Sequence, residues 1–389
     1  MPDFGHASAP TAFEGGGIGV EQMTDAAVRN PVLQKPERKF HIIDTDVHER
    51  ADLEALLPYL DPMWHKYITD FGWTPDRVLP FAQYAVGGLD RADSKLPDGR
   101  PAGCDYGLLR QQLLDEYDMD YAILTGWLDA SALNGGWPEF KTGLMTAYND
   151  WLIDQWLDKD ERLMGSIHVN CHDPIGAARE IDRLGGHPRM AQVILYIGDK
   201  AWGDPFYHPI FEAAVRNNLP VGMHHSENSP TALGFHRYYI EWHTLVPQIF
   251  MSELVSLMFN GVFDKFPTLK VIMIEGGFTW VPHLMSRADQ QFKQLRSEVP
   301  WVKRMPSQII RDQVRFCTQP TEEMTLQKFM QLIEWVESDE LFLFSTDYPH
   351  WDFDSPYEAL PLGIPVELKR KIFAENAASV YTRLPALVG

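Results

Sequence analysis

Phe40-His-Ile-Ile-Asp-Thr-Asp46, continued by Val47-His48-Glu49, is an apolar run that ends in carboxylates and an imidazole. A short run of this kind reads as a buried strand. Period two then sets Asp44, Asp46 and His48 on one side of the extended chain. Similar runs follow: Tyr-Ala-Ile-Leu within 118–125, then Leu163–Val169, Ala191–Ile197, Pro220–His224, Lys270–Glu275, Val314–Thr318 and Leu341–Ser345. Helix signals lie between them. Asp173-Pro174 is a cap followed by proline at the first helical position, with a stop near Gly185-Gly186. Asp204-Pro205 opens another helix that ends near Asn217-Asn218, and Leu109, Leu113 and Tyr117 share a helical face. Strand–helix alternation requires parallel pairing, and eight such units predict an α/β chain closed as a (β/α)8 TIM barrel. An open doubly wound sheet is the alternative. No Gly-x-Gly-x-x-Gly follows the first run, which weakens a nucleotide-binding reading.

Such a barrel typically needs ~250 residues. Residues 38–389 exceed that, so insertions are expected at about 50–107 after strand 1 and about 226–260 after strand 5. Residues 1–37 carry Gly15-Gly-Gly17 and no sustained periodicity, and read as an N-terminal arm or tail. The chain has 389 residues with 54 acidic against 34 basic, a formal charge of −20. That excludes a nucleic-acid partner, which needs a basic surface, and disfavours an anionic membrane. No apolar stretch is long enough to span a bilayer. Cys104, Cys171 and Cys317 are too few and too scattered for a disulfide scaffold or a four-cysteine zinc site. They suit a reducing compartment, and Met1-Pro-Asp-Phe-Gly5 lacks the features of a signal peptide, so a cytoplasmic protein is expected.

Catalytic groups of a barrel sit at the C-terminal ends of its strands. Strand 1 ends in Asp44, Asp46 and His48, strand 5 in His224-His225, strand 6 in Glu275-Gly-Gly277, and strand 8 in Asp347-Tyr-Pro-His350. Imidazole and carboxylate from several strands are the ligands of zinc and related divalent ions, with a coordination position left open. Any one of these residues could instead cap a helix or satisfy backbone groups. Strand 4 offers no Lys or Glu to bridge two ions, which points to a single metal.

These pieces resemble the amidohydrolase superfamily, in the amidohydrolase-related branch that includes aminocarboxymuconate-semialdehyde decarboxylase. The matching motifs are Ile43-Asp-Thr-Asp-Val-His48, Leu219-Pro-Val-Gly-Met-His224, Leu269-Lys-Val-Ile-Met-Ile-Glu-Gly-Gly277, Arg315-Phe-Cys-Thr-Gln-Pro320, Phe344-Ser-Thr-Asp-Tyr-Pro-His350 and Glu375-Asn-Ala377. The resemblance implies one divalent metal ion, zinc or manganese, held by Asp46, His48, His224 and Asp347. It implies catalysis by Asp347 with Glu275 or His350, and a homodimer or larger homo-oligomer. Asp46 stands where the family has His or Glu, and Glu275 where it commonly has His. Three carboxylates around one ion favour manganese over zinc. The primary expectation is hydrolysis of a small aromatic or carboxylated molecule by metal-activated water. The alternative is non-oxidative decarboxylation at the same site. A metal-free ligand-binding barrel is a further alternative.

His168 and His172 flank the end of strand 3, and His225 follows His224. His168 and His225 are candidate substrate contacts. Trp202, Phe206, His208, Tyr238, Trp242 and His243 fall on or near the loops after strands 4 and 5, where aromatics can line a pocket for a flat ring. Trp351, beside Asp352 and Asp354, is placed to close the mouth. Arg237 is the candidate for a substrate carboxylate, because guanidinium offers a bidentate fork, and Arg50 competes with it. An arginine at the metal would favour decarboxylation; an open neutral pocket would favour hydrolysis.

Overall fold

The computed structural model describes residues 40–72, 90–126, 137–196, 200–226, 229, 231–234 and 236–387. The expected arm at 1–37 lies outside the described residues. The eight strands fall where the apolar runs predict them: β1 Ile43–Val47, β2 Tyr121–Leu124, β3 Leu163–His168, β4 Met190–Tyr196, β5 Val221–His224, β6 Val271–Ile274, β7 Val314–Cys317 and β8 Phe342–Leu343. Each pairs in parallel with the next in sequence. The ends of the sheet meet: Thr45 N donates to Phe344 O at 3.1 Å, His48 N donates to Tyr348 O at 2.8 Å, and Val47 bridges Tyr348. That closure makes the sheet a (β/α)8 barrel and excludes the open doubly wound alternative.

Alternation along the strands separates two apolar layers. Val47, Leu124, Val193, Met223, Met273 and Phe316 pack in the large cluster with helical residues such as Leu113, Leu144 and Phe250. Ile43, Ile123, Met164, Ile194, Ile272 and Leu343 form the smaller cluster that fills the barrel. Ala377, Val380 and Tyr381 join it and close the floor, at the end remote from the strand-end histidines. Tyr381 Oη donates to Gln192 Oε1 at 3.2 Å, and Gln192 Nε2 donates to Ser166 Oγ at 2.9 Å. Asn376 Nδ2 donates to Asp339 O and Phe342 O, both at 3.0 Å, which gives the Glu375-Asn-Ala377 piece its structural purpose.

The capping signals hold. Asp173 accepts from Gly176 N at the start of helix Pro174–Leu184. Asp204 accepts from Phe206 N ahead of the turn Pro205–Tyr207 and helix His208–Arg216. An insertion after β1 carries helices Leu53–Leu56 and Pro62–Phe71 before the helix at Tyr106–Leu109. The segment expected as an insertion after β5 is mostly the barrel's own helix, Tyr239–Phe259. It is apolar around much of its girth and holds Pro247, so it lacks the one-sided period that marks a surface helix. Among the described residues no helix is long and apolar enough to cross a membrane.

Candidate metal centre and active site

Asp44, Asp46 and His48 do not follow a regular alternation, because the register of β1 shifts between Asp44 and Val47, and their surroundings differ. Asp44 is fully buried, and its Oδ1 accepts from Thr346 N at 3.0 Å and Asp46 N at 3.2 Å. Its Oδ2 accepts from Thr346 Oγ1 at 2.5 Å. Asp44 therefore fastens β1 to the chain leaving β8, and burial pushes its carboxyl up to about 8. Asp46 Oδ1 accepts from Thr125 Oγ1 at 2.7 Å. His48 Nδ1 lies 2.5 Å from Gly126 O; a carbonyl can only accept, so Nδ1 carries the proton. The ring is thereby turned so that Nε2 lies 2.9 Å from Asp347 Oδ1 and 3.4 Å from Asp46 Oδ1. His224 repeats the device: Nδ1 donates to His225 O at 2.5 Å and Nε2 lies 2.8 Å from Glu275 Oε2. His225 Nε2 lies 3.0 Å from the same oxygen. Asp347 Oδ1 lies 2.5 Å from His350 Nδ1. Glu275 and Asp347 both have φ of 59°, a left-handed conformation that non-glycine residues adopt at a cost.

The result is two overlapping groups, Asp46–His48–His224–Glu275 and His48–Glu275–Asp347–His350, each with ligand atoms within 4.8 Å of one another. Asp46 Oδ2, His224 Nε2, Glu275 Oε2 and Asp347 Oδ2 are buried without an aligned hydrogen bond. Buried polar atoms left in that state are costly. One divalent cation would satisfy them together, and nitrogen with carboxylate oxygen is the donor set of zinc and manganese. The cluster is electrostatically tense. Burial opposes charge on His48, but Asp46 and Asp347 outweigh it and push the ring up to about 10. Burial, then the charge of Glu275, raises Asp347 well above the usual carboxylate range. Burial also opposes charge on Glu275, yet His225 and His224 hold it well below its ordinary value. Burial and His48 push His350 far down. A cation bound here exchanges for these protons.

The remaining candidates scatter. His225 stays with the cluster, its ring 4.7 Å from His224 and edge-on to Trp242 at 5.0 Å. His168 is buried; its ring lies 4.6 Å from Tyr148 and 6.4 Å from Tyr196, whose ring is 5.5 Å from His224. Neither ring nitrogen of His168 is hydrogen-bonded, and burial pushes it down to about 3, so it is neutral. Trp202 is not brought to the cluster: it is buried against Tyr207 at 4.3 Å, and its backbone N donates to Glu253 at 2.7 Å. Arg237 is exposed, with its guanidinium 5.3 Å over the Tyr238 ring. Arg50 lies 3.9 Å from Asp90.

The sequence reading passed over the end of β2, where Thr125 and Gly126 orient Asp46 and His48. Gly126 has φ of +79°, and a Cβ there would lie 2.3 Å from His168 Cε1. Glu49 accepts from Gly126 N and from Tyr148 Oη, each at 3.0 Å, and burial pushes it up to about 8. Applying the strand-end rule to β2, as to the others, would have found Thr125 and Gly126.

Comparison with known proteins agrees with this geometry. The family model described as amidohydrolase matches residues 43–383. Gamma-resorcylate decarboxylase of Polaromonas sp. is 23% identical over 280 residues, covering 67% of this chain and 82% of that protein. The 2-amino-3-carboxymuconate-6-semialdehyde decarboxylase of Dictyostelium discoideum is 26% identical over 194 residues, 47% of this chain and 51% of that one. A Novosphingobium aromaticivorans 5-carboxyvanillate decarboxylase structure, with manganese and 4-hydroxy-3-methoxy-5-nitrobenzoic acid, shares the fold at a TM-score of 0.65 and 19% identity. That alignment covers 89% of this chain and 97% of the other. These relatives are decarboxylases, which favours carboxy-lyase chemistry over the hydrolysis that the sequence put first. From its first strand to the helix that closes the barrel floor, this enzyme belongs to the amidohydrolase family.

Proposed function

We propose that this chain is a non-oxidative decarboxylase of a small aromatic acid, working with one divalent cation held by Asp46, His48, His224 and Asp347. The observation that carries the proposal is the convergence of buried, unbonded ligand atoms on Asp46, His224 and Asp347 beside the Asp347–His350 pair. Three carboxylates, counting Glu275, favour manganese over zinc, and manganese is bound in three of the similar decarboxylase structures. When bound, the ion supplies positive charge that anchors the substrate's carboxylate or adjoining hydroxyl.

Asp347 is the proton donor. Its buried carboxyl, 2.5 Å from His350 Nδ1, is placed to pass a proton to the substrate. It protonates the ring carbon that bears the carboxylate. The bond from that carbon to the carboxyl then breaks, its electron pair restores the aromatic ring, and CO2 departs. His350, with Nδ1 2.5 Å from Asp347 Oδ1, holds that carboxyl in position. Glu275 holds His224 and His225 in place, and His225 and His168 contact the substrate. Arg237 and Trp202, placed as they are, take no part. The enzyme is cytoplasmic, in keeping with three free cysteines, and works as a homodimer or larger homo-oligomer.

The test is to load the purified protein with manganese and offer salicylate and 2,6-dihydroxybenzoate. Released CO2 and the matching phenol are expected, with one deuterium at the vacated ring position in heavy water. Hydrolysis of an aryl amide without CO2 release would overturn the proposal.

A further inference from the structure

Helix Tyr239–Phe259 and the loop after β8 bring a second set of polar groups to the mouth of the site. His243 Nε2 lies 3.5 Å from Asp352 Oδ2. The His243 ring stacks on Tyr239 at 5.3 Å and meets Trp351 at 5.8 Å, so aromatic faces border the pair on two sides. Asp352 Oδ2 is buried without a hydrogen bond, and its backbone carbonyl accepts from Gln319 Nε2 at 3.3 Å. Among the described residues no lysine or arginine is ion-paired with Asp352. Both groups lie within electrostatic reach of the cluster's carboxylates. Burial, then Asp347 and Glu275, push Asp352 up to about 9, while burial lowers His243 against the pull of Glu275. The pair sets a carboxyl oxygen and an imidazole nitrogen side by side, 3.5 Å apart.

We propose that His243 and Asp352 form the specificity site for a neutral hydrogen-bonding substituent, a hydroxyl or amino group, on the substrate ring away from the departing carboxylate. A hydroxyl lodged against both can donate to the unbonded Asp352 oxygen and bond the imidazole nitrogen. A second carboxylate there would meet the Asp352 carboxyl, with which no lysine or arginine is ion-paired among the described residues. The substrate class is thus a phenolic monoacid rather than a dicarboxylic acid. This inference rests on the decarboxylase reading for its substrate, and its test is separable from it.

The manganese-loaded enzyme is assayed with salicylate, its 4-hydroxy derivative and its 5-carboxy derivative, and binding of the three is measured by calorimetry. The 4-hydroxy acid is expected to be favoured over salicylate by about tenfold in kcat/KM and in binding, the value of one hydrogen bond well made. The 5-carboxy acid is expected to bind least. Asp352→Leu and His243→Leu bring the 4-hydroxy to salicylate ratio to about parity, and Asp352→Asn, which keeps a donor and an acceptor, retains most of it. A ratio unchanged in both leucine variants, or a wild-type preference for the 5-carboxy acid, overturns the inference. If no acid is turned over, the decarboxylase reading fails, while the binding ratios still decide the specificity site.

Discussion

Replacing Asp44 separates a clamp from a candidate ligand, although the residue lies only two positions before Asp46 on β1. Asp44→Ala strands three buried donors: Thr346 N, Thr346 Oγ1 and Asp46 N. At about 1 to 1.5 kcal/mol each, the loss is about 3 to 4 kcal/mol of stability. Asp44→Asn is different. Burial pushes the native carboxyl up to about 8, so it holds its proton at neutral pH, and an amide oxygen in the place of Oδ1 still accepts from Thr346 N and Asp46 N. The cost for Asn is about 1 kcal/mol or less. The folded-state value lies above the ordinary 3.8, so the protonated carboxyl stabilises fully below that value and the contribution is lost as pH rises towards 8. Asp44→Asn should therefore gain on the wild type with rising pH and overtake it above about 8. Urea unfolding of chelated protein, followed by circular dichroism from pH 6 to 9, measures this. Equal destabilisation by Ala and Asn at neutral pH would mean that the anion is required, and would refute the reasoning.

Asp46→Ala and His224→Ala should each lose the bound ion with the fold intact, seen by elemental mass spectrometry beside circular dichroism; full metal retention in either removes that residue from the ligand set. Thr125→Val deletes the hydroxyl that bonds Asp46 Oδ1 at 2.7 Å and should weaken manganese binding about tenfold, measured by competition with a chelator. Asp347→Asn should lower kcat about a thousandfold, and a variant reloaded with manganese that keeps near-normal turnover would dismiss Asp347 as proton donor.

The barrel is legible in the sequence because its strands are buried on both faces. Continuous apolar runs such as Val193-Ile-Leu and Val271-Ile-Met-Ile274 stand out, and the polar residue that ends each run marks the catalytic rim. The site was legible to the same depth, since Asp46, His48, His224, Glu275, Asp347 and His350 do converge. What period two could not do is tell Asp44 from Asp46. The register of β1 shifts between Asp44 and Val47, and Thr346, some three hundred residues later, makes Asp44 a clamp while Asp46 remains a candidate ligand. The aromatic and arginine candidates on loops fared less well because a loop's path sets which side chains turn inward. Trp202 turned into the packing between helices, and Arg237 turned out to solvent. Helix Tyr239–Phe259 was hidden for the opposite reason, being too apolar to show a face.

The floor of the barrel has a bearing on how the chain is made. Tyr381, Ala377 and Val380 complete the inner core, and Asn376 ties their helix to Asp339 and the start of β8. All eight strands are synthesised before these residues leave the ribosome. Until then the inner side chains of the strands, Ile123, Ile194 and Ile272 among them, have an open lower end. Sealing this barrel is a late event in biosynthesis. A nascent chain stalled just short of residue 376 would hold its helices in sequence yet expose a wet, unfilled interior, a natural target for chaperones that recognise unfinished cores.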